Sequence, residues 1–259
     1  MADYIVGDLH GCFDKLISVL DVAGFDKDND VLYSVGDLCD RGSQNLKIVE
    51  FVYSLGKSFR PVFGNHDIWL YEYFAFGNEN RCWIKWNGGD ATMSEIRKLS
   101  AQDKTKYAEW MSSFPYMMEV GDNVICHNFI RRSKLVARIG NLDPCGITLG
   151  NCRDSGLVKD PDYDEYVFDR AIADFVRIKA GQTGSRWREP YEDADFEKDF
   201  PPGKSYVMGH TPLYEDGYAV YNGVYMIDTG AFVTAKEYGT ETDGRMTLMN
   251  LETKEIWET

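Results

Sequence analysis

Basic residues are in short supply: 28 lysines and arginines stand against 42 aspartates and glutamates, a formal net charge of -14. Phosphate backbones and anionic lipid surfaces require lysine and arginine. Stable nucleic-acid binding and membrane association are therefore not expected, although a local basic pocket remains compatible with the total. No apolar run approaches the roughly 18 residues of a membrane-spanning helix. The first residues lack the basic and apolar profile of a signal segment, and Tyr4-Ile5-Val6 already reads as a core strand. A cytoplasmic location is the expectation. Cysteine is sparse as well, six in 259 residues, with no CxxC pair. That excludes a disulfide scaffold and a structural zinc site. There is no internal repeat and no low-complexity tract.

What is present is a rhythm of strands and helices. Residues 3–7, 31–36 and 59–63 read as short buried strands, each running into a glycine. Residues 13–23 form a helix stopped by Gly24, and residues 43–55 a second, with Ser43 as its cap. Such alternation implies βαβ units and a parallel sheet. Residues 67–115 read as mostly helical, broken at Asn87-Gly88-Gly89-Asp90. Their aromatics (Trp69, Tyr71, Tyr73, Phe74, Phe76, Trp83, Trp86) read as packing between helices, with a substrate-facing wall as the alternative. A hairpin is expected around Gly121-Asp122-Asn123, an irregular stretch over 128–160, and a helix opening at Asp160-Pro161 and ending at Gly181. Residues 189–199, with six carboxylates and one lysine, read as a solvated loop. Strands return at 205–208, 218–221, 224–227, 246–251 and 254–257. The whole reads as one domain over 1–259, with an insertion or lid-like segment at about 130–203.

All four histidines fall at or just after a predicted strand end, among small or polar neighbours: Asp8-Leu9-His10-Gly11, Gly64-Asn65-His66-Asp67, Cys126-His127-Asn128 and Gly209-His210-Thr211. Independent structural roles would scatter them over helices and loops. Holding two divalent cations roughly 3.5–4 Å apart needs a bridging carboxylate with nitrogen and oxygen donors on either side. Asp8 and His10 can serve one metal, Asp37 can bridge, and Asn65, His127 and His210 can complete the other. His66, beside Asp67, suits a general acid whose ring is oriented by a carboxylate. Arg41, in Gly36-Asp37-Leu38-Cys39-Asp40-Arg41-Gly42, offers a planar fork to a phosphoryl group. Asp40 reads as orienting Arg41 or a bound water.

The segments GDLHG, GDLCDRG and GNHD, a strand-end histidine and a GH segment stand in the order found in PPP-type metallophosphoesterases, the serine/threonine protein phosphatase superfamily. The chain resembles most the bacteriophage lambda-type protein phosphatases. The resemblance implies a four-layer αββα sandwich with two central mixed β-sheets, the calcineurin-like metallophosphoesterase fold. It implies two divalent metal ions, Mn2+ first with Fe or Zn as alternatives, and a metal-bridging hydroxide as nucleophile. By motif match it implies Asp8, His10, Asp37, Asn65, His127 and His210 as metal ligands, His66 backed by Asp67 as acid, and Arg41 on the phosphoryl group. It also implies a second phosphate-binding arginine about two dozen residues before the last metal histidine. Arg186 stands 24 residues before His210, with Arg188 and Arg153 as rivals.

The function implied first is a metal-dependent phosphomonoesterase acting on phosphorylated proteins at serine and threonine, with tyrosine as an additional target, or on a small phosphoester. The Asp40-Arg41-Gly42 sequence weighs toward phosphomonoesters. The GNHD form, in place of GNHE, is shared with symmetrical dinucleoside polyphosphate hydrolases and some polynucleotide-end phosphatases, which form the alternative. A non-catalytic module on the same fold is opposed by the retained acid, arginine and ligands.

Overall fold

The computed structural model describes residues 1–130, 132–158, 170–182 and 191–259. The strands are β1 Asp3–Val6, β2 Val31–Ser34, β3 Phe59–Pro61, β4 Met117–Val120, β5 Asn123–Cys126, β6 Ser205–Met208, β7 Ala219–Tyr221, β8 Val224–Met226, β9 Thr247–Asn250 and β10 Ile256–Glu258. They form two five-stranded sheets, ordered β10-β9-β1-β2-β3 and β4-β5-β6-β8-β7. In the first, β1, β2 and β3 are parallel and β9 and β10 add an antiparallel edge. In the second, β5, β6 and β8 are parallel, flanked by antiparallel β4 and β7.

Alternation along the strands separates the layers. Ile5, Tyr33, Val35, Val62, Ile125, Val207, Ile227 and Met249 form a buried apolar slab of their own. Their neighbours Tyr4, Val6, Leu32, Val124, Cys126, Tyr206, Met208 and Leu248 belong to the larger core under the helices. Successive strand residues point to opposite faces. A one-residue slip would exchange the two sets, so the register is firmly specified. The result is the α/β fold with two mixed sheets that the motifs imply.

Helices cover the outer faces. They are α1 Phe13–Ala23, α2 Asn45–Ser54, α3 Asn65–Phe76, α4 Arg81–Trp86, α5 Gly89–Ile96, α6 Ala101–Met111 and α7 Arg132–Ile139. Helix α1 ends at Gly24, which takes the left-handed conformation (φ 71°) of a C-cap. Helix α2 opens later than expected: Gln44, not Ser43, holds the cap position, and no side chain caps it. Of the aromatics in 67–115, Trp69, Tyr73, Phe74 and Trp83 are buried, whereas Phe76 and Trp86 are exposed.

Two expectations for the 130–203 segment fail. The stretch read as irregular contains α7, which buries Leu135 and Ile139. The acidic run read as a solvated loop contains a helix, Asp193–Asp199. Its Phe196 stacks on Phe175 (4.9 Å), and Phe200, just beyond, meets Phe129 (4.6 Å) and Tyr206 of β6 (5.0 Å). Burial of two phenylalanines outweighs local charge repulsion: each contributes about 1.5–3 kcal/mol, whereas exposed like charges cost a few tenths. Helix Ala171–Lys179 ends before Gly181 as expected, while the predicted opening at Asp160-Pro161 lies outside the described residues.

Candidate active site

The candidate residues gather where the parallel strands of both sheets end. Asp8 and His10 follow β1, Asp37 and Arg41 follow β2, and Asn65 and His66 open α3 just after β3. His127 follows β5, and His210 lies just beyond β6. Carboxyl ends of parallel strands are where α/β sheets place reactive groups. Bringing eight side chains from five turns onto one point requires unusual backbone. His10, Asp37, Asp40, Arg41 and His210 all have positive φ, between 40° and 81°. Such conformations cost about 1–3 kcal/mol each outside glycine. Two glycines make the close approach possible: a Cβ on Gly64 would strike the Asp37 carboxylate, and one on Gly209 the Asp8 carboxylate.

Hydrogen bonds fix which atoms face inward. His10 Nδ1 donates to the Cys39 carbonyl and His127 Nδ1 to the Val35 carbonyl, each at 2.8 Å. A carbonyl can only accept, so Nδ1 carries a proton in both rings and Nε2 is the atom turned toward Asp37. His127 Nε2 lies 3.3 Å from Asp37 Oδ2, and His10 Nε2 lies 3.6 Å from the same oxygen. Asn65 Oδ1 approaches His127 Nε2 (3.2 Å) and His210 Nδ1 (3.0 Å). His210 Nε2 is buried without a hydrogen-bond partner among the described residues. Asp8 accepts the His210 amide at 3.0 Å. Two sets of side chains each bring their ligand atoms within 4.8 Å of one another: His10, Asp37 and His66, and Asp8, Asp37 and His127. Asp37 belongs to both.

Electrostatics follow from this crowding. Burial, then Asp228 and Asp37, raise Asp8 well above the carboxylate range. Burial opposes ionisation of Asp37 too, but the imidazoles of His127, His66 and His10 outweigh it and hold Asp37 well below that range. Burial, Arg41 and His66 depress His10; burial and His127 depress His210. Imidazole nitrogens of His10, His127 and His210, a shared carboxylate and the Asn65 amide oxygen converge in one buried cluster, a donor set that fits a pair of mid-row divalent cations.

The carboxylate that meets His66 is not the one expected. His66 Nδ1 donates to Asp40 Oδ2 at 2.5 Å. Asp40 is held in turn by Trp83 Nε1 (2.6 Å) and the Thr92 hydroxyl (2.5 Å). Asp67, expected behind His66, faces the other way and accepts the amides of Asp37 (2.8 Å), Leu38 (3.1 Å) and Gly64 (2.8 Å). It therefore braces the metal-side turns. Burial and Asp37 push it up to about 7 despite those donors. Arg41 extends its fork to His10 Nε2 (2.5 Å) and His66 Nε2 (3.0 Å), and its guanidinium lies over the Phe232 ring at 4.5 Å.

Arg186 and Arg188 lie outside the described residues. Arg153 is engaged by the buried carboxylate of Glu72, through Nε at 2.8 Å and also through Nη2. Two residues escaped the sequence reading of the site. Asp228 is fully buried, with Oδ1 accepting the Gly230 amide and Oδ2 unpartnered among the described residues. Its position just after β8, like the other strand-end carboxylates, was the available signal. Phe232 gave none, since an aromatic in a loop carries no periodicity.

Fold and site together define a two-sheet phosphoesterase with a buried histidine-carboxylate cluster at the strand ends. The chain belongs to the calcineurin-like phosphoesterase family, whose sequence pattern matches residues 4–237. A protein of Hamiltonella defensa named bis(5'-nucleosyl)-tetraphosphatase, symmetrical, is 37% identical over 124 residues, 48% of this chain and 42% of that protein. One of the same name from Colwellia psychrerythraea is 37% identical over 133 residues, 51% of this chain and 44% of that protein. The chain thus aligns with less than half the length of these relatives. A solved structure assigned as a diadenosine tetraphosphatase superposes with a TM-score of 0.56 at 18% identity, over 99% of this chain and 92% of that one. This last likeness concerns the fold alone. The names of the relatives overturn the phosphoprotein phosphatase expectation, and these bacterial proteins lend no support to a bacteriophage affinity. No helix among the described residues is long and apolar enough to cross a membrane.

Proposed function

We propose that the chain is a metal-dependent hydrolase of dinucleoside polyphosphates that splits a dinucleoside tetraphosphate at its centre into two nucleoside diphosphates. The site supports hydrolysis of a phosphoryl bond: a buried donor cluster shared through Asp37, facing the Arg41 fork. The choice of substrate is carried by the 37% identity to proteins named as symmetrical tetraphosphatases.

In this reading Asp8, His10, Asp37, Asn65, His127 and His210 hold two divalent cations, Mn2+ by preference. When bound, the pair supplies Lewis-acid charge for the phosphoryl oxygens and activates the attacking water. Arg41 donates both arms of its fork to the phosphoryl oxygens in place of the imidazole nitrogens it meets now. His66, its Nδ1 anchored on Asp40, passes a proton from Nε2 to the departing oxygen. Asp67 keeps the Asp37 and Gly64 turns in place. Arg186 remains the proposed second arginine, and the 130–203 segment the proposed substrate platform. A cytoplasmic setting belongs to the same reading, since all six cysteines are free thiols.

The test is a metal-reconstituted substrate panel with chromatographic product analysis. Diadenosine tetraphosphate should give ADP alone. Formation of AMP plus ATP, or faster turnover of a phosphopeptide or a 3'-phosphorylated oligonucleotide, would sink the reading.

A further inference from the structure

The turn between β8 and β9 does more than connect two strands. It carries Phe232, whose ring lies under the Arg41 guanidinium at 4.5 Å and meets His10 edge to face at 5.0 Å. On its outer side Phe232 meets Tyr238 edge to face at 5.7 Å, and Tyr238 is 52% exposed. An aromatic surface thus runs without interruption from the phosphoryl-binding arginine to solvent. Core packing accounts for Val233, which is wholly buried, but not for an exposed tyrosine at the end of this run.

The turn is rigidly built. Lys15 of α1 donates its ammonium to the carbonyls of Ala231 (2.7 Å) and Gly244 (2.6 Å), closing both ends of the loop on one side chain. The Gly244 amide returns to Val233 O (2.9 Å), and the Ala235 amide is taken by Asp243 (2.7 Å). A fixed aromatic surface binds without an ordering cost. Next to a phosphate site, the chemistry it fits is a nucleobase, since every base has a π-face and stacking tolerates any sequence.

We infer that Phe232 and Tyr238 form the wall against which one nucleoside of the substrate stacks, Tyr238 supplying the face for a purine base whose phosphate chain lies at Arg41. This rests on the dinucleoside polyphosphate reading and adds the base-recognition site to it. The exposed Trp86 is the rival platform, two residues from Gly88, whose carbonyl accepts the Arg41 amide (3.2 Å). Its ring, however, already has the Arg81 guanidinium over it at 5.7 Å.

The test compares Tyr238→Ala, Tyr238→Trp and Trp86→Ala in the full chain loaded with metal. Each is assayed on diadenosine tetraphosphate and on p-nitrophenyl phosphate, which has no base, and for inhibition of the second reaction by ADP against pyrophosphate. Tyr238→Ala should raise the ratio of the two KM values about 10-fold and weaken ADP relative to pyrophosphate by a similar factor, while Tyr238→Trp restores both. Unchanged ratios in Tyr238→Ala, or the shift appearing only in Trp86→Ala, would overturn the inference and leave the hydrolase reading standing. If the unaltered protein fails to cleave diadenosine tetraphosphate, the hydrolase reading falls. The ADP-to-pyrophosphate ratio then still decides the wall.

Discussion

Asp40 holds His66 by Nδ1, so Asp40→Asn should cost nearly as much turnover as His66→Asn, about 10²–10⁴-fold in kcat on diadenosine tetraphosphate. The neutral asparagine cannot stabilise the imidazolium that carries the Nε2 proton to the leaving oxygen. Asp67→Asn should behave differently, because Asp67 touches the turns and not His66. Its carboxyl is raised in the folded protein from the usual range to about 7, so the folded state binds the extra proton there. Stability from that group is therefore lost as pH rises from about 4 toward 7. His10 and His210 are depressed and contribute the opposite slope up to the ordinary histidine range. Denaturant melts of chelator-treated protein should isolate Asp67: the unaltered protein loses stability relative to Asp67→Asn between pH 4.5 and 7. A parallel pair of curves would reject the assignment. The sequence could not distinguish Asp40 from Asp67 as the partner of His66. The choice is made by the left-handed backbone at Asp40 and Arg41 (φ 81° and 66°), which turns the first carboxylate toward the histidine.

At the ends of β3 and β6 added bulk would reach the donor set directly. Gly64→Ala and Gly209→Ala place a methyl against the carboxylates of Asp37 and Asp8. Each should lower metal retention at least about 10-fold, a displacement worth roughly 1.4 kcal/mol, with circular dichroism unchanged. Metal analysis after gel filtration checks this. Most strands were legible in the sequence because alternation sorts residues such as Ile5 and Tyr4 onto opposite faces. The βαβ rhythm likewise located the turns where the candidate residues meet. Helix α7 was not legible: it spans two turns, its buried positions are Leu135 and Ile139, and Val136 between them is exposed. Helix Asp193–Asp199 was hidden by its own charge, since Phe196 is its one buried residue.

Across the whole molecule the donor set comes from both sheets: Asp8, His10, Asp37 and Asn65 from the first, His127 and His210 from the second. Divalent cations that bind only the folded state should stabilise it by about 2.7 kcal/mol for one site at a hundred times its dissociation constant, and so raise the thermal midpoint. Scanning calorimetry of the chelated and reloaded protein measures it; identical midpoints would deny that the cluster binds metal. The slab between the sheets is apolar, and polar links join its two ends. At the site end His127 Nδ1 reaches Val35 O (2.8 Å), and at the far end Asn123 Nδ2 reaches Leu251 O (3.3 Å). Apolar contact resists separation yet slides easily, so polar links such as these set the shear strength of the sandwich. Pulled along its strands, the protein should yield first at the far end, where Asn123 meets Leu251 O and the Lys254 ammonium. The catalytic end should hold to higher force, and to higher force still when loaded with metal.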